Sequence, residues 1–461
     1  MSAIFDPPYP IPYNPINGTV EAFEGTIRPV YNVLDYGADP TGVQDSTAAF
    51  QRVAQLLTAQ GGVLYAPGEF LISDTIQFSG NGIYVQGQGV GWETGSGQPE
   101  VGSIMVASSS FPTGANFLQW NAPGGTTYNW GGVSKMAFIC NSKADGIYAF
   151  NTYAFKAEEL YIFQPWSSGV YCASPQNGSS VDSQLVRRVI VWEPQCNAKT
   201  VNGLGTSPAG IALADNLFQS TVALCYVTNS LGDAYSIGNA YGYGAYGVRV
   251  RNNTYDTPAG IGIHVALGNY CDVIGNKGYG VPGAAGIVYA GSTGAMIAHN
   301  LCPGSNSTGQ AGPNGAVMHL AFASGIVSDN VIAGGPNSTY GIYMDSAVGS
   351  PTLISGNTFA GTFSDGPIGF ASAAGIAIRN NPGYNPVGPT AVAVPASGSA
   401  TTALPYDATF YITQATAASS VAVQGQSIAI PVGGPTAIRV PAGQTLTPTY
   451  TTAPTWVVMG D

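Results

Sequence analysis

Two histidines of this chain fall one repeat away from a carboxylate. Between residues 262 and 380 the sequence repeats a phrase that opens on Gly plus an apolar residue and closes on Asn. With the phrases overlaid, the residue before the closing Asn runs Gly275, His299, Asp329, Gly356 and Arg379. That alignment stacks His299 on Asp329. Counting instead from the opening glycines stacks His319 on Asp345. A carboxylate beside an imidazole favours its protonated form and equips it as a general acid or base. His319, Asp345, His299 and Asp329 are therefore the candidate catalytic residues. Stacking alone also produces such pairs on a surface, so the alternative is two ordinary polar contacts.

Glycoside hydrolysis usually needs two carboxyl groups roughly 5 to 9.5 Å apart. Asp329 with Asp345 is one candidate set, and Glu158, Glu159 and Asp182 form another. Neither makes a motif. A second column aligns SKMAFI (134–139), EELYIF (158–163) and RRVIVW (187–192). It places Lys135, Glu159 and Arg188 together, with Glu158 beside Arg187. Alternating charge on neighbouring coils reads as an ion-pair ladder or as a strip that binds a hydroxyl-rich or acidic glycan. Arg187 and Arg188 are its candidate binding residues. Tyr241, Tyr243 and Tyr246 alternate with small residues in NAYGYGAYG. Their rings can stack on sugars or pack against another subunit. Trp92, Trp120 and Trp130 lie in a less regular stretch with the same two options. No cysteine pair has zinc spacing, and neither a metal nor a cofactor is expected.

These residues need a scaffold that repeats. The closing asparagines Asn276, Asn300, Asn330, Asn357 and Asn380 recur about every 23 to 30 residues, the period of solenoids. The unit is too short and Gly-rich for a helix pair, and its apolar stretches alternate as strands do. The pattern predicts a right-handed, single-stranded parallel β-helix in an all-β chain. Stacked asparagines hydrogen-bond along the coil axis and fix register. Similar openings at Gly82, Gly146, Gly169, Gly210 and Gly247 extend the coils towards the N-terminus, with loops expected near 92–130 and 194–208.

Three segments follow. Residues 1–30, Pro- and Tyr-rich, read as an extended arm that docks on another subunit or assembly. Residues 31–388 hold the coils, entered through a helix. Asp45 or Ser46 caps it, and Ala49, Phe50, Val53, Leu56 and Leu57 fall at helical spacing. Residues 389–461 carry short alternating strands and read as a small antiparallel β-domain.

The stretches NVLDYGADPTG-x-x-DST-x-AFQ and GG-x-x-Y-x-P-G-x-F-x-I-S, within residues 32–73, resemble the pectate-lyase-like superfamily. The likeness is to the N-terminal segment shared by bacteriophage tailspikes and some glycan-active enzymes. It implies a helix that covers the open end of the first coil. The C-terminal run IRVPAGQTLTPTYTTAPTW is similar to a small terminal module of phage tail proteins. The chain lacks the clustered Asp and Gly-His-Gly turn of polygalacturonase-like members and the calcium cluster of the lyases.

Composition bounds the partners. Charged residues make up 8% of 461, and the formal net charge is −11. With 13 basic residues, a nucleic-acid or anionic-membrane face is not expected. No run approaches the roughly 18 apolar residues of a membrane span. A Ser-, Thr-, Asn- and Tyr-covered surface suits a virion or extracellular setting. The expected function is a homotrimeric tailspike-like protein that binds a cell-surface polysaccharide, with a virion or tail assembly held through the arm; whether it also depolymerises that polysaccharide the residues leave open. A secreted polysaccharide lyase or glycoside hydrolase is the alternative, and a non-catalytic decoration protein a third.

Overall fold

Alternating apolar residues build the coils seen in the computed structural model. It describes residues 28–460 except 93–97, 123–125, 175–180, 199, 202–203, 206–207, 215–216, 239–243, 281, 292, 305, 323, 346–351, 373–374, 383, 385–392, 405, 414–418, 434 and 442. The expected N-terminal arm lies, but for its last residues, outside the described residues. The chain divides into two compact units, residues 1–220 and 221–461. Parallel strands stacked coil on coil, one N-terminal helix and a pair of small antiparallel sheets make it a right-handed parallel β-helix.

In the first unit the helix Thr47–Gln60 buries Ala49, Phe50, Val53 and Leu57, while Leu56 stays 39% exposed. Its Phe50 ring meets Phe70 of the strand Glu69–Ile72 edge-on, with centroids 5.0 Å apart. The N-cap is Ser46, yet the capping bond comes from Asp45, whose carboxylate accepts the Thr47 amide at 2.9 Å. The long strands Gly132–Ile139, Lys156–Phe163 and Leu185–Trp192 pair in parallel and in register. The stretch 92–130 is not one loop, as the sequence suggested. It contains the coil strands Ile104–Ala107 and Asn116–Asn121 and an antiparallel pair, Val90–Trp92 with Pro99–Gly102. Trp120 is a core residue stacked on Phe78 at 4.4 Å, so its ring is closed to ligand.

In the second unit an inward column runs Ile263, Ile287, Met318, Ile342 and Ile368, all buried. Each such side chain contributes on the order of 1.5–3 kcal/mol of burial. The Asn ladder has six rungs here: Asn253, Asn276, Asn300, Asn330, Asn357 and Asn381. From Asn253 to Asn357 each Nδ2 donates to the next rung's Oδ1 at 2.8–3.0 Å and to a backbone carbonyl of the preceding coil. Each backbone amide donates to the same Oδ1 at 2.9–3.1 Å. The last rung is Asn381, not Asn380, and Asn253 adds one before Asn276. The residues before the rungs, Asn252, Gly275, His299, Asp329, Gly356 and Asn380, have φ of +50° to +69°. They turn the chain at the same corner of every coil, and Gly, Asn and Asp suit that left-handed bend best.

After the last coil strand, Ile376–Arg379, the strands Ala408–Thr413, Pro435–Val440 and Thr455–Gly460 form one antiparallel sheet. Ser419–Val423, Gln426–Ile430 and Leu446–Thr449 form another. Phe410, Ile412, Val421, Leu446, Trp456 and Val458 fill the core between them. Asp407 reaches Arg379 at 3.7 Å and Arg439 at 3.1 Å, tying this module to the last coil strand. The six cysteines are free; five are buried and Cys196 is half-buried. Burial pushes the Cys172 and Cys302 thiols up to about 12 and Cys271 up to about 11.

Candidate functional site

Each of the three long strands of the first unit bends at one residue: Lys135 (φ 58°), Glu159 (φ 55°) and Arg188 (φ 54°). These are long L-side chains in the left-handed region, which disfavours them by roughly 1–2 kcal/mol apiece. The bend splits each strand and throws the three side chains outward in one column. Arg188 Nη1 donates to Glu159 Oε1 at 3.0 Å. Lys135 makes no ion pair among the described residues. One position earlier, Arg187 Nη2 holds Glu158 Oε1 at 2.6 Å.

Beyond the bend, Tyr161 and Ile190 occupy paired outward positions. Tyr161 is buried, and burial, with the Glu193 charge, pushes its phenol up and keeps it protonated. An open cleft of about 390 Å³ lies over these groups, walled on its other side by Gln88, Gly89 and Val90. It therefore presents one ammonium with no ion pair among the described residues, one shared guanidinium–carboxylate pair, and an apolar floor at Ile190 with the Tyr161 ring buried beneath. Arg188 lines it and Arg187 does not.

A second cluster sits on the outward face of the second unit. His264, Val288, His319, Tyr343 and Gly369 follow one another from coil to coil in register. His319 thus opposes Tyr343, not Asp345 as counting from the glycines suggested. The side chains nonetheless meet: His319 Nε2 lies 2.8 Å from Asp345 Oδ2. The His319 ring stands edge-on to Tyr343 with centroids 5.9 Å apart, and Tyr343 leans on Tyr340 at 5.0 Å. Burial, then the charge of Asp365, raises the Tyr340 phenol.

His264 forms a pair that the sequence reading missed. Its Nδ1 lies 3.0 Å from Asp233 Oδ2, while Asp233 Oδ1 accepts the Ile261 amide at 2.8 Å. The pair is 31 positions apart in the chain and offset in register, so no phrase alignment brings it together. Ala266, Ala290 and Ala321 occupy positions two residues along from His264, Val288 and His319, all half-buried.

His299 and Asp329 occupy the same corner of adjacent coils, both exposed, but no hydrogen bond or ion pair joins them. The Asp329 carboxylate lies instead against Gly356 of the following coil, in the space a Cβ would fill. Tyr241 and Tyr243 lie outside the described residues. Tyr246 is 42% exposed and tilts against Tyr270 at 5.2 Å. Trp130 is exposed and packs edge-on to Tyr153. Among the described residues no group of His, Cys, Asp and Glu has the arrangement of a metal site, and no helix is long and apolar enough to cross a membrane.

The family described as "Rhamnogalacturonase A/epimerase, pectate lyase-like" matches residues 30–136. No curated protein matches the chain in sequence. Among solved structures, the Dettilon tailspike protein superposes with a TM-score of 0.53 at 14% identity, covering 94% of each chain. The tailspike gp49 of Acinetobacter baumannii bacteriophage Fri1, described as a capsular polysaccharide depolymerase, gives 0.52 at 13%, over 95% of this chain and 86% of that one. PfbA, a surface adhesin of Streptococcus pneumoniae, gives 0.52 at 14%, over 77% and 92%. Likeness at such identities carries architecture alone. With its parallel coils, its N-terminal helix and its matching first segment, the chain has the right-handed β-helix fold of the pectate-lyase-like superfamily.

Proposed function

We propose that this protein is a tailspike-like attachment protein of a virion or other exposed surface, and that it holds a host-surface polysaccharide in the cleft of the first unit. The observation that carries this is the column Lys135–Glu159–Arg188, three charged residues kept in left-handed conformations at the rim of an open cleft. Charged donors and an acceptor at the rim, over the partly buried Ile190, suit a ring that offers hydroxyls at its edge and C–H groups on its face. The capsular-polysaccharide depolymerase description of the gp49 tailspike agrees with a glycan-facing role, and the surface-adhesin description of PfbA with an attachment role. In this reading the protein is a homotrimer that joins its particle through residues 1–30.

The test is a glycan array followed by titration calorimetry on the hits. Lys135→Ala and Arg188→Ala should each weaken binding at least about tenfold, the scale of a lost charge-assisted hydrogen bond. Unchanged affinity in both variants would remove the cleft from the reading. Light scattering should return three chains per particle, and a monomer would remove the trimer.

A second reading, cleavage of the glycan, is favoured by the 2.8 Å contact of His319 with Asp345. His299 and Asp329, which share no bond, would contribute from the corner of the same coils. A secreted lyase or hydrolase would use the same residues. A purely structural protein would bind and cleave nothing in the array.

A further inference from the structure

The outward face of the second unit holds two imidazoles, each fixed by a carboxylate through the opposite ring nitrogen. Asp233 holds His264 at Nδ1 and leaves Nε2 free; Asp345 holds His319 at Nε2 and leaves Nδ1 free. They share one outward column with Val288 between them. Two coil steps at about 4.8 Å set their backbones about 10 Å apart. Both rings are partly exposed, and the neighbouring positions are alanines that leave the floor shallow. The Asp233 carboxylate is in turn fixed by the Ile261 amide, while for Asp345 it is the backbone that is held, its amide donating to the Leu320 carbonyl.

We infer that His264 and His319 form an acid–base pair for hydrolysis of an O-acyl ester on a sugar chain lying across Val288. This takes from the second reading above only that the face is catalytic, and places the broken bond in an ester carried on the chain instead of in the chain itself. The carboxylate-held imidazole is the arrangement that activates a hydroxyl or water towards an acyl carbon. Glycosidic cleavage needs a pair of carboxyl groups free to act on the bond, whereas Asp233 and Asp345 are each engaged by an imidazole. In the step, His264 Nε2 takes a proton from water as its oxygen bonds to the acyl carbon. The acyl carbon–oxygen bond to the sugar then breaks. The departing sugar oxygen receives the Nδ1 proton of protonated His319. The products are a carboxylic acid and a sugar hydroxyl, and exchange with water restores both imidazoles. Asp233 and Asp345 are positioning residues.

The full-length protein is incubated with O-acetylated polysaccharides and with the same polymers after alkaline deacetylation. Acetate is measured enzymatically and chain length by size exclusion. The expected result is saturable acetate release from the acetylated forms without chain shortening. His264→Ala and His319→Ala should each lower kcat about a hundredfold or more, within the range of acid–base catalysis. Asp233→Asn should lower kcat while KM stays near its original value, and thermal melting should confirm that each variant folds. No acetate release from any acetylated polymer overturns the proposal, as does release that survives the double change His264→Ala with His319→Ala. Chain shortening without acetate would overturn it and leave the second reading standing. Glycan-array binding through the first-unit cleft is read separately, so its failure is distinguishable from this one.

Discussion

Asn300 sits in the middle of the ladder, and replacing it with Ala tests how much the ladder contributes. Its side chain takes part in four hydrogen bonds. Nδ2 donates to Asn330 Oδ1 and to the Val273 carbonyl, both at 2.9 Å. Oδ1 accepts the Asn276 amide and Asn276 Nδ2, both at 3.0 Å. Asn300 and Asn276 are each 1% exposed, so water cannot replace what is lost. The alanine variant leaves two Asn276 donors without that acceptor. At about 1–3 kcal/mol for each buried donor left unsatisfied, the loss is about 2–6 kcal/mol. The assay is urea unfolding followed by fluorescence, with amide hydrogen exchange to place the damage. The midpoint should fall, and the Asn276 amide should exchange faster than those of the inward column at Ile263 and Ile287. A loss below about 0.5 kcal/mol, the scatter of ordinary surface changes, would refute the reasoning. It would mean that the coils keep register without the ladder and that a relaxed backbone finds other acceptors.

Further outcomes follow from other sites. Asp45 accepts bonds from Ser73 and Thr47; burial opposes ionisation, but those bonds outweigh it and hold the carboxyl below its ordinary value. Because the folded value is the lower one, the cap's contribution is complete above about pH 4 and disappears as pH falls through the folded value; Asp45→Asn should flatten the acid limb of a melting-temperature series. Gly356 has φ +69°, and a Cβ there would strike the Asp329 carboxylate. Gly356→Ala should therefore lower stability by about 1–2 kcal/mol, partly restored when Asp329→Ala is added, as read from urea midpoints. Asp407→Asn removes the charge shared by Arg379 and Arg439, whose side chains are half or more exposed. The loss should stay near about 1 kcal/mol or less and shrink further in salt, with faster amide exchange along Ile376–Arg379.

How far the sequence could be read depended on distance along the coil. The alternation of apolar residues and the closing asparagines carried the coil architecture, because both are local and repeat. The helix Thr47–Gln60 was legible for the same reason, down to the capping role of Asp45. The phrases leave the ladder one rung short at its start, at Asn253, and end it one residue early, at Asn380, since either residue of the doublet 380–381 satisfies the phrase; only the hydrogen bonds show that Asn253 and Asn381 are rungs. The repeat length varies, so counting from the glycines misplaced His319 by two positions against Asp345. The pair nonetheless met, because side chains lean along the stack. His264 and Asp233 were invisible for the converse reason: their contact crosses a corner between coils, and no phrase contains both. Lys135, Glu159 and Arg188 were aligned correctly. Their left-handed backbones, and the cleft above them, belong to the bend and leave no trace in residue type.

The side-chain bonds between asparagine rungs run one way: from Asn253 to Asn357 every rung donates forward to the next, and Asn381 receives the last of these bonds. Any two neighbouring rungs therefore make the same junction. A coil ending in Asn can be duplicated or excised between them, and the bonds re-form without a mismatched donor. The length of the second unit is thus free to change by whole coils, in descent or by design, while the antiparallel module that follows stays joined to the last coil strand through Arg379 and Asp407.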